Sequence, residues 1–336
     1  MKQLLHIASR KAERRVWTPL FLERLRQFGE LTVIEDGDGL SDEECAGRIR
    51  RCHVVLTSWG ARPVPPSLAD DRGQLEYVCH VTGTVRQFVP LELIEAGIPV
   101  TNWGDAAANP IAEGAMLLLL AMARSLRHRI EVVQRDGWRP EPGCFSATLD
   151  GMNVGIYGYG YIGERFVEML RPFRAVMRIY DPYVAEVPDD CIRVGSLEEL
   201  FEQSEAIVIH AGLSDETRGS VTAELLAKLP DNGIIVNTAR GGIIAQDALF
   251  AELEKGRLLA GLDVLDPDRL PDGHPAKQWP NVIFTAHNIG ASSIEAAPGA
   301  RELQPMHLVC LENLKRHVSG EPLKFVLDRE RYLRST

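Results

Sequence analysis

Residues 153–163, NVGIYGYGYIG, narrow the possible folds of this chain more than any other stretch. An apolar run of strand length leads into glycines spaced Gly-x-Gly-x-x-Gly, and a helix-compatible segment follows. In that arrangement Gly158 serves a tight turn, Gly160 lets the backbone approach a pyrophosphate, and Gly163 lets the helix pack on its strand. The free N–H groups of the helix's first turn then suit phosphate. The first glycines also fit a P-loop, but Glu164 and Arg165 stand where lysine and a hydroxyl residue are required, so the NTPase reading fails. Asp181 ends the next apolar run, IYD, about twenty residues on, where an acid accepts the ribose hydroxyls of an adenosine and repels a 2′-phosphate. Pro182 and Tyr183 offer no arginine to such a phosphate, so the pattern favours NAD over NADP.

The same alternation of short apolar runs and helical segments occupies the rest of the chain. LLHIA (4–8), ELTVIE (30–35), VVLTSW (54–59), YVCHV (77–81) and IPVTN (98–102) read as buried strands. Thr18-Pro19 predicts an N-cap and first-turn proline with Gly29 as the stop, Ser41 with Glu44 a capping box, and Pro90 to Gly97 a bracketed short helix. GDAAANP (104–110) reads as a connector, and 111–127, apolar nearly all round, as one buried helix. From Met152 a second alternation begins, NVGIYG, VMRIYD, EAIVIHA, GIIVNTA, LLAGLDV and NVIFTAH, with helices expected near 163–172, 196–202, 221–229 and 246–255. A last helix over 305–317 is too little chain for a domain and is expected to pack on the first. The expectation is an α/β protein of two domains, a dinucleotide-binding one over 105–290 and a substrate or catalytic one from 1–104 and 291–336. The chain then crosses between them near 104–110 and 288–300, and two crossings make a hinge.

With 336 residues and 45% hydrophobic content the chain can bury more than one core. Its 37 basic against 47 acidic residues, a net charge of −10, argue against nucleic acid or an anionic membrane and suit a small-molecule substrate. The apolar run at the N-terminus, broken by His6, is too short for a signal peptide, and AMLLLLAMA (115–123) falls short of the ~20 residues that cross a bilayer. Six cysteines without a CxxC pair read as reduced thiols, which points to the cytoplasm.

Ligands of open parallel sheets bind beyond the carboxyl ends of the strands. After EAIVI comes His210; after GIIVNTA, Arg240; after LLAGL, Asp263, Asp266 and Asp268; after NVIFTA, His287. His210 reads either as a structural residue or as part of the site. Arg240, flanked by Gly241 and Gly242, presents a planar fork of donors that suits a carboxylate. His287 stands where a proton donor is useful. There is no metal-ligand spacing such as HxxxH and no GxSxG, so metal-dependent and serine hydrolysis are poor candidates. An arginine, an acid and a histidine beside a nicotinamide are the equipment for hydride transfer to a carbonyl next to a carboxylate.

The blocks GTVRQFVPLELIEAGIPVTN, IAEGAMLLLLAMAR, GIYGYGYIGERF, YDPY, DETRG, ELLAKLPDNGIIVNTARGGII, GLDV and PNVIFTAHNIGAS together resemble the D-isomer-specific 2-hydroxyacid dehydrogenases, over nearly the whole chain. The resemblance implies a Rossmann domain inserted into a flavodoxin-like catalytic domain, a homodimer, NAD as cofactor, and reversible reduction of a small 2-oxo acid. It implies Arg240, Asp268 and His287 as the catalytic residues, with His287 the acid/base, and backbone around Thr82, Gly83 and Thr84 joining Arg240 on the substrate carboxylate. On the cofactor it places Gly158, Gly160, Tyr161, Ile162, Gly163 and Asp181. It adds His210 and Thr217 after the following strand, then Thr238, Ala239, Arg240, Asp263, His287 and Gly290. The family has glutamate where this chain has Asp268; the shorter side chain implies a closer loop, or a weakened or water-bridged contact with His287. Asp266 reads as a loop cap. Arg86 is expected to reshape the substrate pocket, and Trp103 either to do the same or to pack the junction. Pro298 and Pro305 break a segment that is helical in the family. A rival reading from the same resemblance is an NAD(H)-sensing protein with little catalysis.

Overall fold

In the computed structural model the described residues are 2–9, 16–139, 144–290 and 303–334. They form two compact units, one from residues 1–107 and 292–336, the other from 108–291.

The first unit is a five-stranded parallel sheet in the order β2-β1-β3-β4-β5, formed by β1 (Lys2–Ile7), β2 (Gly29–Ile34), β3 (Val54–Thr57), β4 (Tyr77–His80) and β5 (Val100–Thr101). This is the flavodoxin-like order. β3 and β4 are buried at every position, as a sheet covered on both faces requires. The caps act as the sequence implies. Thr18 accepts from the Phe21 N–H at the start of α1 (Pro19–Leu25), and Ser41 and Glu44 form the reciprocal box that opens α2 (Asp42–Ile49). Gly29 does not stop α1; it opens β2, where the Lys2 carbonyl occupies the space of a Cβ. α3 (Leu91–Glu95) follows Pro90, and the late helix α10 (Pro305–Ser319) returns to this unit, putting Met306, Cys310 and Leu314 into one core with Leu4, Leu56 and Tyr77. The short α11 (Arg329–Arg334) was not foreseen. The return crossing near 288–300, with Pro298, lies largely outside the described residues.

The second unit is a seven-stranded parallel sheet. Its strands are β6 (Asn153–Tyr157), β7 (Val176–Tyr180), β8 (Cys191–Arg193), β9 (Ala206–Ile209), β10 (Ile234–Asn237), β11 (Leu259–Leu262) and β12 (Val282–Phe284). Their order, β12-β11-β10-β9-β6-β7-β8, reverses direction between β6 and β9, which is the switch point where a dinucleotide binds in such sheets. β8, exposed and only three residues long, escaped the sequence reading. Helix α6 (Tyr161–Leu170) follows the glycine turn, and α7 (Leu197–Glu202), α8 (Ala223–Lys228) and α9 (Gln246–Glu254) form the other connections.

The expected single helix over 111–127 is two. α4 (Ala108–Ala123) begins inside the expected connector, because Pro110 falls in its first turn, where a missing N–H costs nothing. Ser125 then adopts a left-handed conformation (φ 43°) and α5 (Leu126–Gln134) starts in a new direction. The chain returning at 144–147 holds that break: Ala147 N–H donates to the Ala123 carbonyl and Ser125 Oγ to Phe145 O. α4 packs on α6, β10 and β11, but Leu117 on its outer face is 55% exposed. Among the described residues no helix is long and apolar enough to cross a membrane.

Candidate active site

The glycine turn has the geometry its spacing implies. Gly158 has φ 95°, and a Cβ there would lie 2.5 Å from the Ala211 N–H nitrogen on the neighbouring strand's loop. A Cβ at Gly163 would collide with the Gly158 carbonyl, whereas the space over Gly160, which caps α6 without any side-chain hydrogen bond, is open. Both oxygens of Asp181 are engaged, Oδ2 by the Tyr159 N–H and Oδ1 by the Tyr183 N–H, each at 2.8 Å. Its charge is thereby fixed beside the turn.

The remaining strand ends form a second cluster. After β10 the buried amide of Asn237 brackets the next three residues: Oδ1 accepts from Ala239 N–H and Nδ2 donates to the Arg240 carbonyl. This shapes the turn that carries Arg240. Gly241 has no Cβ to obstruct Leu265, so the loop after β11 lies directly on that turn and brings the Asp268 carboxylate towards the guanidinium. Arg240 is half-buried; burial lowers its pKa from the ordinary arginine value and the Asp268 charge opposes that shift. One Arg240 Nη donates to Ala239 O at 2.7 Å.

Asp268 reaches His287 directly: its Oδ2 is hydrogen-bonded to Nδ1 of the imidazole, with side-chain exposures of 47% and 50%. The contact with His287 is therefore direct. Asp268 Oδ1 also accepts from the Leu265 N–H, so Asp268 caps its own loop. Asp266, expected in that role, is instead clasped through its backbone by the Gln246 amide and lies 3.7 Å from Arg218. Asp263 has a task that no sequence signal announced. Buried at the end of β11, its Oδ1 accepts from Thr285 Oγ1 and from the N–H groups of Asn288 and Ile289, while its carbonyl accepts from His287 N–H. These bonds hold Ala286 and His287 at φ 54° and 55° and so aim the imidazole.

Other expected cofactor residues divide into two groups. Tyr161 and Ile162 open α6, with Ile162 packed on the core, and Gly290 comes close to Ile111. Thr238 Oγ1 is buried without a partner among the described residues, and Ala239 lies beside it at the end of β10. Thr217 instead spends its hydroxyl locally, accepting from Ser214 N–H and donating to Gly212 O. The His210 ring packs against Phe166 of α6, both nitrogens buried without a partner among the described residues, and burial pushes its pKa down to about 3. A neutral ring so placed is no acid/base. The open space at Gly160 where α6 begins, the fixed Asp181 charge and the Thr238 hydroxyl, unpartnered among the described residues, together fit a dinucleotide.

In the first unit, Thr82, Gly83 and Thr84 lie just beyond β4. The indole of Trp103 fills the space where a Gly83 side chain would be and meets Trp59 edge-on, so Trp103 walls this turn. Arg86 does not line it: its Nε donates to the Tyr332 carbonyl on α11.

The family model described as D-isomer specific 2-hydroxyacid dehydrogenase, NAD binding domain, matches residues 116–288. The chain is 30% identical over 311 residues to a hydroxypyruvate reductase of Blautia hydrogenotrophica, covering 90% of this chain and 93% of that protein. It is 29% identical over 310 residues to a D-3-phosphoglycerate dehydrogenase of Methanocaldococcus jannaschii, covering 91% of this chain and 57% of that one. An NADPH-dependent glyoxylate/hydroxypyruvate reductase from Sinorhizobium meliloti, solved with NADP and malonate, shares the fold at TM-score 0.73 and 23% identity, covering 100% of this chain and 99% of its own.

Proposed function

Because this chain belongs to the D-isomer-specific 2-hydroxyacid dehydrogenases, NAD(P)-dependent oxidoreductases acting on the CH–OH group of 2-hydroxy acids, we propose that Arg240, Asp268 and His287 are its catalytic residues for reducing a small 2-oxo acid. The observation that carries the assignment is the direct Asp268–His287 hydrogen bond beside the Arg240 turn. When bound at the glycine turn, the reduced nicotinamide supplies a hydride to the carbonyl carbon. Arg240 orients the substrate carboxylate and polarises the carbonyl oxygen through its fork of donors. Asp268 accepts from Nδ1–H, which leaves Nε2 of His287 as the nitrogen that hands a proton to that oxygen. In the reverse direction the neutral ring takes the hydroxyl proton at the same nitrogen. Thr82, Gly83 and Thr84 are assigned to the carboxylate as well.

The substrate class follows the relatives: hydroxypyruvate and glyoxylate are the first acids to test. The pinned Asp181 carboxylate supports NAD over NADP, because a fixed negative charge at that position repels a 2′-phosphate. The apolar side chains of Leu117, Leu126, Ile130 and Val133, all exposed on α4 and α5, support a homodimer. Six free cysteines suit a cytoplasmic enzyme.

The test is oxidation of NADH, with NADPH in parallel, by the purified protein against a panel of 2-oxo acids that includes both. Turnover that disappears in Arg240→Ala is expected. Tight NADH binding with no turnover on any acid overturns the catalytic reading and favours an NADH-sensing role.

A further inference from the structure

The polar chain at the end of the five-stranded sheet is the part of the molecule that the catalytic residues leave unexplained. His80, the last residue of β4, is fully buried, and its Nδ1 is 2.7 Å from Thr57 Oγ1 at the end of β3. Its Nε2 is 2.8 Å from Thr82 Oγ1, and the Thr84 backbone beside the ring opposes the lowering of its pKa by burial. The Thr82 hydroxyl is held from a second side by the Trp59 N–H at 3.1 Å. One imidazole therefore ties the neighbouring strand to Thr82, the threonine that opens the turn at Gly83. Phe88 stacks on the ring, with 5.5 Å between centroids, and closes it off from water.

A buried network of this kind is costly to build unless it fixes something, since every member must be satisfied in one geometry. What it fixes is a three-residue turn whose first side chain, that of Thr82, is committed inward. With the Thr82 hydroxyl spent on Trp59 and His80, an anion at this turn is met by backbone groups, and their positions depend on the ring behind them. Burial keeps His80 neutral, with its pKa lowered to about 3, so it serves the turn by geometry and not by charge.

We propose that His80 is a positioning residue for substrate binding, holding the Thr82–Gly83–Thr84 turn in the conformation that receives the carboxylate of the 2-oxo acid, with Thr57 as its anchor. The inference rests on the assignment of that turn to the carboxylate. A carboxylate keeps its charge between ground state and transition state, so loosening its binding site weakens both equally: KM rises and kcat stays.

The experiment compares wild type with Thr57→Val, His80→Gln and His80→Ala, measuring kcat and KM for hydroxypyruvate and glyoxylate, NADH affinity by fluorescence titration, and the thermal midpoint. His80→Ala is expected to raise KM about tenfold with kcat within about twofold and NADH affinity unchanged. His80→Gln, which keeps a donor and acceptor near Thr82, falls between it and wild type. Thr57→Val, which touches neither the turn nor the acid, raises KM about threefold, and it keeps the test alive if His80→Ala does not fold. A lowered midpoint with KM unmoved in Thr57→Val and His80→Gln shows a merely structural histidine and overturns the proposal. Wild-type protein that turns over no acid of the panel overturns the catalytic reading, and with it this premise; turnover with unmoved KM overturns the positioning role alone.

Discussion

At the end of the seven-stranded sheet, Asp268 and His287 meet with about half of each side chain exposed, and Arg240 lies next to them half-buried. At the end of the five-stranded sheet, Thr57, His80 and Thr82 meet with exposures of 2%, 0% and 0%. Both are polar clusters at carboxyl edges, and both are built around a histidine bonded to side-chain oxygen. The difference lies in what each histidine can do. His287 is half-exposed and hydrogen-bonded to a carboxylate; His80 is closed off, faces hydroxyls and a carbonyl, and is held neutral by burial. Proton transfer needs access and a charge partner, whereas positioning needs burial and fixed partners.

The sharpest way to break this contrast is to remove the charge at the open cluster. Arg240→Ala is expected to lower kcat/KM for 2-oxo acid reduction about a thousandfold, because a charge-assisted contact to the developing oxyanion is lost. NADH affinity, measured by fluorescence titration, should stay within about threefold; loss of NADH binding to the same extent as turnover would assign Arg240 to the cofactor alone. His287→Gln comes next, with an expected loss of about a hundredfold in kcat, the usual worth of one general acid. If kcat is unchanged while Asp268→Asn is impaired, the proton donor is elsewhere.

The closed histidines set the acid stability. His6 and His307, each pushed down to about 4, and His80 and His210, each down to about 3, are neutral in the folded protein because they are buried. Their unfolded value is about 6.5, so below that pH the unfolded chain takes up protons that the folded chain refuses. Stability is therefore complete above about pH 6.5 and falls as the pH drops towards 4 and 3, by about 2 kcal/mol for each histidine at pH 5. His6, His80 and His307 belong to the unit built from both chain ends, so amide exchange at pH 5 should show that unit opening before the seven-stranded sheet. Equal loss of protection in both units would remove the distinction. The smallest expected effect is Asp268→Glu: since aspartate already reaches His287, the longer side chain should leave kcat/KM and its pH profile within about threefold of wild type. A large gain would mean that the direct contact does not exist in solution.

Much of this site was legible in the residues. The glycine spacing, Asp181, Arg240 and His287 announce themselves because each depends on local chemistry: a turn that tolerates no Cβ, or a polar group at the end of an apolar run. Asp263, expected beside the cofactor, also clamps the His287 loop, and Asp268 takes the loop cap expected of Asp266 in addition to its contact with His287. Three carboxylates within six positions are alike in sequence; only the loops folded over them distinguish them. His210 was left open between a structural ring and a site residue for the same reason, since a residue's place at a strand end does not say which way its ring turns.

The sequence by itself determined the two strand–helix alternations, the caps, and the strand ends at which polar groups would gather, because backbone geometry, periodicity and turn chemistry act over a few residues. Tertiary structure alone decided that 111–127 breaks at Ser125, where the returning chain at 145–147 supplies the hydrogen bonds that end the helix. It alone decided that Asp268 reaches the His287 ring directly, from a loop in which Leu265 lies over Gly241. It alone brought Thr57, His80 and Thr82 into one chain of hydrogen bonds, since β3 and β4 are neighbours only once the sheet has formed.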